Sequence, residues 1–337
     1  MSGPSAVETR DRARRADLAA LVVSGVAAAI APLQVFLLAF AVLGPLHYLT
    51  EIAWLRRKRF YLREVGVSSR AYVLLAMAAV TVSVLSRVLN HDMWFWTVGA
   101  MLLISLSVLV RNVYAILAIA VATVVTAFFL KTWVFFIAVM VPTLVHVFFF
   151  TWTFMVSGAL RDKSAARMKW LNPALMLAIP AVLVFLPLHY AQPGGLWLRS
   201  EGMTFAAIHA KLVGDLHHTM AFDATMLNDA VVAGVLRVFA FVYLFHYLNW
   251  FAKTELLEWP RVSRRGWVGI GALYVASLCP YVWSFRAGFI VSTFLSLLHV
   301  LLEFPLNWQT LRYLAGTKGE LAKRWGRRRP GMGAEAA

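Results

Sequence analysis

The sequence predicts an all-α, polytopic membrane protein: one helical bundle of about ten crossings with both termini in the cytoplasm. Three observations predict it. Hydrophobic residues make up 61% of the 337 and charged residues only 14%, far from the balance of a soluble domain. Apolar runs of about 20 residues, the length a helix needs to cross a bilayer, recur along the chain. Lys and Arg gather on alternate loops, as the positive-inside rule requires. The runs do not alternate residue by residue, so a β-barrel is excluded.

Taken in order, residues 1–17 form a polar, basic cytoplasmic segment with no cleavable signal. The transmembrane domain covers 18–312. Its first apolar region, 18–54, is too long for one crossing and is interrupted by Pro32, which predicts helices at 18–31 and 33–54. The basic loop RRKRFYLREVGVSSR follows. Further helices are expected at 71–88, 93–109, 112–130, 132–157, 171–190, 229–252, 266–285 and 288–311. A long external loop, 191–228, starts with Gln-Pro-Gly-Gly and continues as a weakly amphipathic stretch suited to the membrane surface. Residues 313–337 form a basic cytoplasmic tail.

The net charge of +16 raises nucleic acid as a partner. Its distribution argues against that. Arg10 to Arg15, Arg56 to Arg70, Arg161 to Lys169, Lys253 to Arg265 and Arg312 to Arg329 all fall on one side. The opposite side has only Arg87, Lys131, Arg199, Lys211 and Arg286. Topology and anionic membrane lipids account for the charge, and no nucleic acid is expected. The single cysteine, Cys279, excludes an internal disulfide and a multi-cysteine metal site.

Polar titratable groups at membrane depth are costly and therefore functional candidates. LSLLHVLLEFPLNW carries His299 and, one turn later, Glu303. GPLHYLTE repeats the spacing with His47 and Glu51. Residues four apart share a helix face. His146 and His246 each lie deep in another expected helix. All four helices run outside to inside in this topology, so the four histidines share one layer in the inner half of the membrane. Neutral imidazole is a common ligand for Fe, Zn and Cu, and histidines on separate helices of a bundle can close around an ion. Glu51 and Glu303 either accept a hydrogen bond from a ligand's other ring nitrogen or bind metal themselves, which leaves one ion or two open. The competing reading gives each histidine only an interhelical hydrogen bond. Tyr48, Asn249 and Trp250 flank the histidines and are candidates for substrate contact or support. His217, His218, Asp215 and Asp223 form a rival external cluster in the long loop. Arg237 lies about half a turn around its helix from His246 and serves another contact.

At these residues the chain resembles the bacterial Brp/Blh-like β-carotene dioxygenases, polytopic proteins that hold iron through histidines on separate membrane helices. GPLHYLTE is similar to the family's early Gly-Leu-Pro-His-Gly segment, VYLFHYLNW to its late aromatic helix with a histidine, and SLLHVLLEFP to its last histidine-bearing helix. His146 would fill the remaining ligand position. The chain departs from the pattern in having Tyr48 after the first histidine, no His-Phe-Gly segment at His146, and Glu303 after His299. The resemblance implies a multi-pass protein of a bacterial inner (plasma) membrane and a non-haem iron dioxygenase. The departures widen the expected substrate to a long apolar lipid or isoprenoid, such as a carotenoid. A proton-coupled transporter using the intramembrane His/Glu pairs is the alternative. A haem-binding bundle and a purely structural subunit are further readings.

Overall fold

A computed structural model of the chain describes residues 6–58, 69–88, 144–162, 167–186, 230–253 and 262–316, together with positions 114, 115, 118, 121 and 122. Among them every regular element is a helix. We number the α-helices α1 (Ala6–Ile30), α2 (Pro32–Leu38), α3 (Gly44–Lys58), α4 (Ser69–Val88), α5 (Thr151–Arg161), α6 (Leu171–Phe185), α7 (Ala230–Ala252), α8 (Arg264–Trp283) and α9 (Phe285–Leu314). A 3₁₀ turn, Arg167–Trp170, leads into α6, and two π-helical turns, Ala39–Leu43 and Val145–Phe150, precede α3 and α5.

Local chemistry sets the boundaries. The first apolar run breaks at Ala31, whose φ of −139° and ψ of 59° are not helical, and Pro32 restarts the helix where its missing N–H costs nothing. Helix α1 begins at Ala6 rather than at 18, because the segment from Ala6 is rich in Ala and Arg, both good helix formers. Helix α6 ends at Phe185, short of the expected 190. Leu186 precedes Pro187 and turns extended, as residues before proline do. Helices α8 and α9 start before their apolar runs because Ser263 and Ser284 cap them, accepting from Gly266 N and Ala287 N.

Among the described residues, four helical segments are long and apolar enough to cross a membrane: Pro32–Arg57, Ala233–Ala252, Arg264–Trp283 and Phe285–Leu314. The expected spans at 93–109 and 112–130, the loop 191–228 and the tail from 317 fall outside the continuously described segments. So do Asp215, His217, His218 and Asp223.

Two helices organise the packing. Helix α7 lies against α1, α2 and α6, and α9 lies against α8, α3, α4 and α5. The first group encloses an aromatic-rich core that includes Phe36, Phe40, Phe239 and Tyr243. The second encloses Trp54, Tyr72, Val80, Leu301 and Leu306. Close backbone approach between α6 and α7 needs Gly234, where a Cβ would stand 2.7 Å from the Val184 carbonyl oxygen. Helix α8 leaves its apolar surface outward, with 6% of its span buried. Helix α3 sits between the two groups and carries His47 and Glu51 into the seam.

Candidate metal centre

The seam between α3, α5, α7 and α9 brings together four histidines and two glutamates. His47, His146 and His299 are buried and His246 is partly buried. Their Nε2 atoms face one another in pairs: His47 to His246 at 3.0 Å and His146 to His299 at 3.0 Å. The pairs adjoin, with ring centroids 5.4 Å apart for His47 and His299 and 5.3 Å for His146 and His246. Donor atoms of His47, His246 and His299 lie within 4.8 Å of one another, and so do those of His146, His299 and Glu303. His299 belongs to both sets, which makes them one cluster.

The carboxylates approach differently. Glu51 Oε2 lies 3.0 Å from His47 Nε2, the nitrogen that also faces His246. Glu303 Oε2 lies 3.2 Å from His146 Nδ1, on the far side of that ring from Nε2. Both contacts are close without the alignment of a hydrogen bond, and neither oxygen has another hydrogen-bond donor among the described residues. The Asn307 side chain, one turn further along α9, lies beside the Glu303 carboxyl group. Glu51 is thus placed as a donor atom beside the inner nitrogens, and Glu303 as a brace behind one of them.

Local helix geometry explains how His146 arrives. It lies in the π-turn Val145–Phe150, five residues before Thr151. On a regular α-helix residues five apart are about 140° apart. The wider π-turn, with its i→i+5 pattern, brings them toward one face. Both contact His246: Thr151 Oγ1 shares a 2.7 Å hydrogen bond with its Nδ1. When Nδ1–H donates to Thr151, the His246 Nε2 keeps its lone pair directed at His47, the arrangement a metal-binding imidazole needs.

An aromatic wall holds the rings. Tyr48 stacks on His299 at 4.3 Å between centroids and 25° between planes. The Trp250 ring meets His47 edge-on at 5.6 Å, and its Nε1 donates to Thr50 Oγ1, whose hydroxyl reaches the His47 carbonyl oxygen. Asn249 is placed elsewhere. Its Nδ2 donates to Asp17 Oδ1 of α1 at 2.8 Å, and its Oδ1 accepts from Lys253. Arg237, facing away from the histidines, donates to the Leu186 carbonyl oxygen. Thr151, Tyr247 and Asn307 are site-region residues that the sequence reading missed. One signal was present for Tyr247: both His47 and His246 begin a His-Tyr-Leu run.

The donors fit a divalent transition metal. Two ligand bonds of about 2.1 Å at right angles place their nitrogens about 3.0 Å apart, the separation seen in both histidine pairs. The set is all nitrogen and oxygen, which suits iron, and the 2-His-1-carboxylate combination is the common set of non-haem iron oxygenases. Two glutamates and one divalent cation also sum to zero charge, which matters where an unbalanced buried charge is expensive. No protein-family model, curated protein or solved structure matches the chain.

Proposed function

We propose that this chain is a membrane-embedded, metal-dependent oxygenase that holds one non-haem iron between α3, α5, α7 and α9 and acts on a long apolar lipid or isoprenoid such as a carotenoid. The observation that carries the reading is two adjoining pairs of histidine Nε2 atoms, each 3.0 Å apart and drawn from four helices, with two carboxylates against them. A hydrogen-bonded cluster would need a proton between each pair. His47 Nε2 has at most one hydrogen, yet it faces both His246 Nε2 and Glu51 Oε2. A cation satisfies all three lone-pair donors together.

In this reading His47, His146, His246 and His299 bind the metal, and Glu51 binds it or balances its charge. Thr151 holds the outer nitrogen of His246, so that its inner lone pair stays directed at the ion, and Glu303 lies against the outer nitrogen of His146. Tyr48 and Trp250 fix ring planes. Bound iron would supply open coordination for O₂ and redox chemistry. The surrounding aromatic side chains would exclude water and present an apolar surface to the substrate. The four apolar helices among the described residues support multi-pass insertion, and the loop charges support cytoplasmic termini. The apolar runs of the sequence support about ten crossings, and the bacterial inner membrane rests on the family resemblance alone.

Metal analysis of detergent-purified protein, prepared without oxygen, tests this. About one iron per chain is expected, together with O₂-dependent consumption of a carotenoid or unsaturated isoprenoid. Metal-free folded protein after iron supplementation would defeat the reading and favour the proton-relay alternative.

A further inference from the structure

The two His-Tyr-Leu runs meet as a matched clasp. His47-Tyr48 lies on α3 and His246-Tyr247 on α7, 199 residues apart in sequence. Their histidines approach at Nε2 to 3.0 Å, and their tyrosines share a hydroxyl–hydroxyl hydrogen bond of 2.5 Å. Tyr48 and Tyr247 are each 1% exposed, so the bond is shielded from water. Each phenol is also set against a histidine. The Tyr48 ring stacks on His299, and the Tyr247 ring lies 5.0 Å from His47. Gly44 makes room for the pair: a Cβ there would stand 3.0 Å from the Tyr48 hydroxyl oxygen and 3.2 Å from that of Tyr247.

We propose that the Tyr48–Tyr247 hydroxyl pair is a positioning strut for the metal centre. It ties α3 to α7 one residue beyond the two histidines and holds their nitrogens at ligand separation before any ion binds. This inference rests on the metal reading. The physical basis is preorganisation. A hydrogen bond in a water-free seam fixes both backbones, and the ion then pays little ordering entropy to collect its ligands. Neither tyrosine need touch the metal. Because both residues make one and the same bond, their contributions are coupled rather than additive.

The test is Co²⁺ titration of metal-depleted full-length protein, reading the dissociation constant and the ligand-field absorption of the bound ion. The proteins are the wild type, Tyr48→Phe, Tyr247→Phe and the double variant. Phenylalanine keeps the ring packing and removes only the hydroxyl. Each single variant is expected to bind about 10–100-fold more weakly, the range for residues that support metal ligands, and to shift the absorption bands. The double variant should be no weaker than the singles. Gly44→Ala, which leaves both phenols in place, should weaken binding in the same direction. Wild-type affinity and spectrum in both single variants would overturn the strut, as would a double variant whose loss is the product of the two singles. A wild-type protein that takes up no Co²⁺ would instead overturn the metal reading, and the strut with it.

Discussion

Helix α7 carries two buried polar clusters within two turns of each other, and they are built on opposite plans. At Asn249 and Lys253 every group finds a complementary partner. Lys253 Nζ donates to Asn249 Oδ1 at 2.9 Å and lies 3.2 Å from Asp17 Oδ2, while Asn249 Nδ2 donates to Asp17 Oδ1 at 2.8 Å. Cation, amide and carboxylate close on themselves and fasten α1 to α7. At His246, one turn earlier, histidine nitrogens face one another at 3.0 Å, and the Oε2 atoms of Glu51 and Glu303 beside them have no hydrogen-bond donor among the described residues. Buried polar groups are normally satisfied within a structure. A self-satisfied cluster therefore reads as a fastening, whereas a cluster with surplus acceptors reads as a site for a cation. Asn249 belongs to the first kind despite its place near His246.

The sharpest break of this comparison is to remove a ligand. His47→Ala, His146→Ala, His246→Ala and His299→Ala should each abolish stoichiometric metal binding, measured by elemental analysis, while circular dichroism stays helical. Less drastic is to remove a charge and keep the shape. Glu51→Gln and Glu303→Gln should weaken metal binding about 10–100-fold, seen in chelator competition, because a buried divalent ion then keeps an unbalanced charge. Smaller still is Thr151→Val. It takes away the partner of His246 Nδ1 and should weaken binding by about tenfold, the low end of that range. At the other cluster the expectation reverses. Asp17→Asn should leave metal content unchanged but lower thermal stability in detergent, with a cost of about 1–3 kcal/mol for stranding the partners of a buried charge. Metal loss in Asp17→Asn with unchanged stability would erase the distinction between the two clusters.

Sequence patterns reached the site further than they reached the fastening. Apolar runs and Pro32 marked the first helices, and the four-residue spacing of His47 with Glu51 and of His299 with Glu303 marked two faces of the cluster. The departures come from effects that a helical repeat does not carry. The π-turn at Val145–Phe150 changes which residues share a face, so Thr151 was not visible beside His146. Asp17 reads as one more charge in a polar N-terminal segment, and its pairing with Asn249 joins residues 232 apart. Only packing creates that contact. Tyr247 was within reach, since the repeated His-Tyr-Leu run pairs it with Tyr48, but a three-residue repeat does not reveal that the two runs meet.

The most direct test of the cation-site account is iron K-edge X-ray absorption on anaerobic, detergent-purified protein of known iron content. The account predicts about one iron per chain with a first shell of nitrogen and oxygen at about 2.1 Å and the outer-shell scattering of several imidazoles. Iron bound below stoichiometry and without imidazole scattering, in protein that is folded, would contradict it.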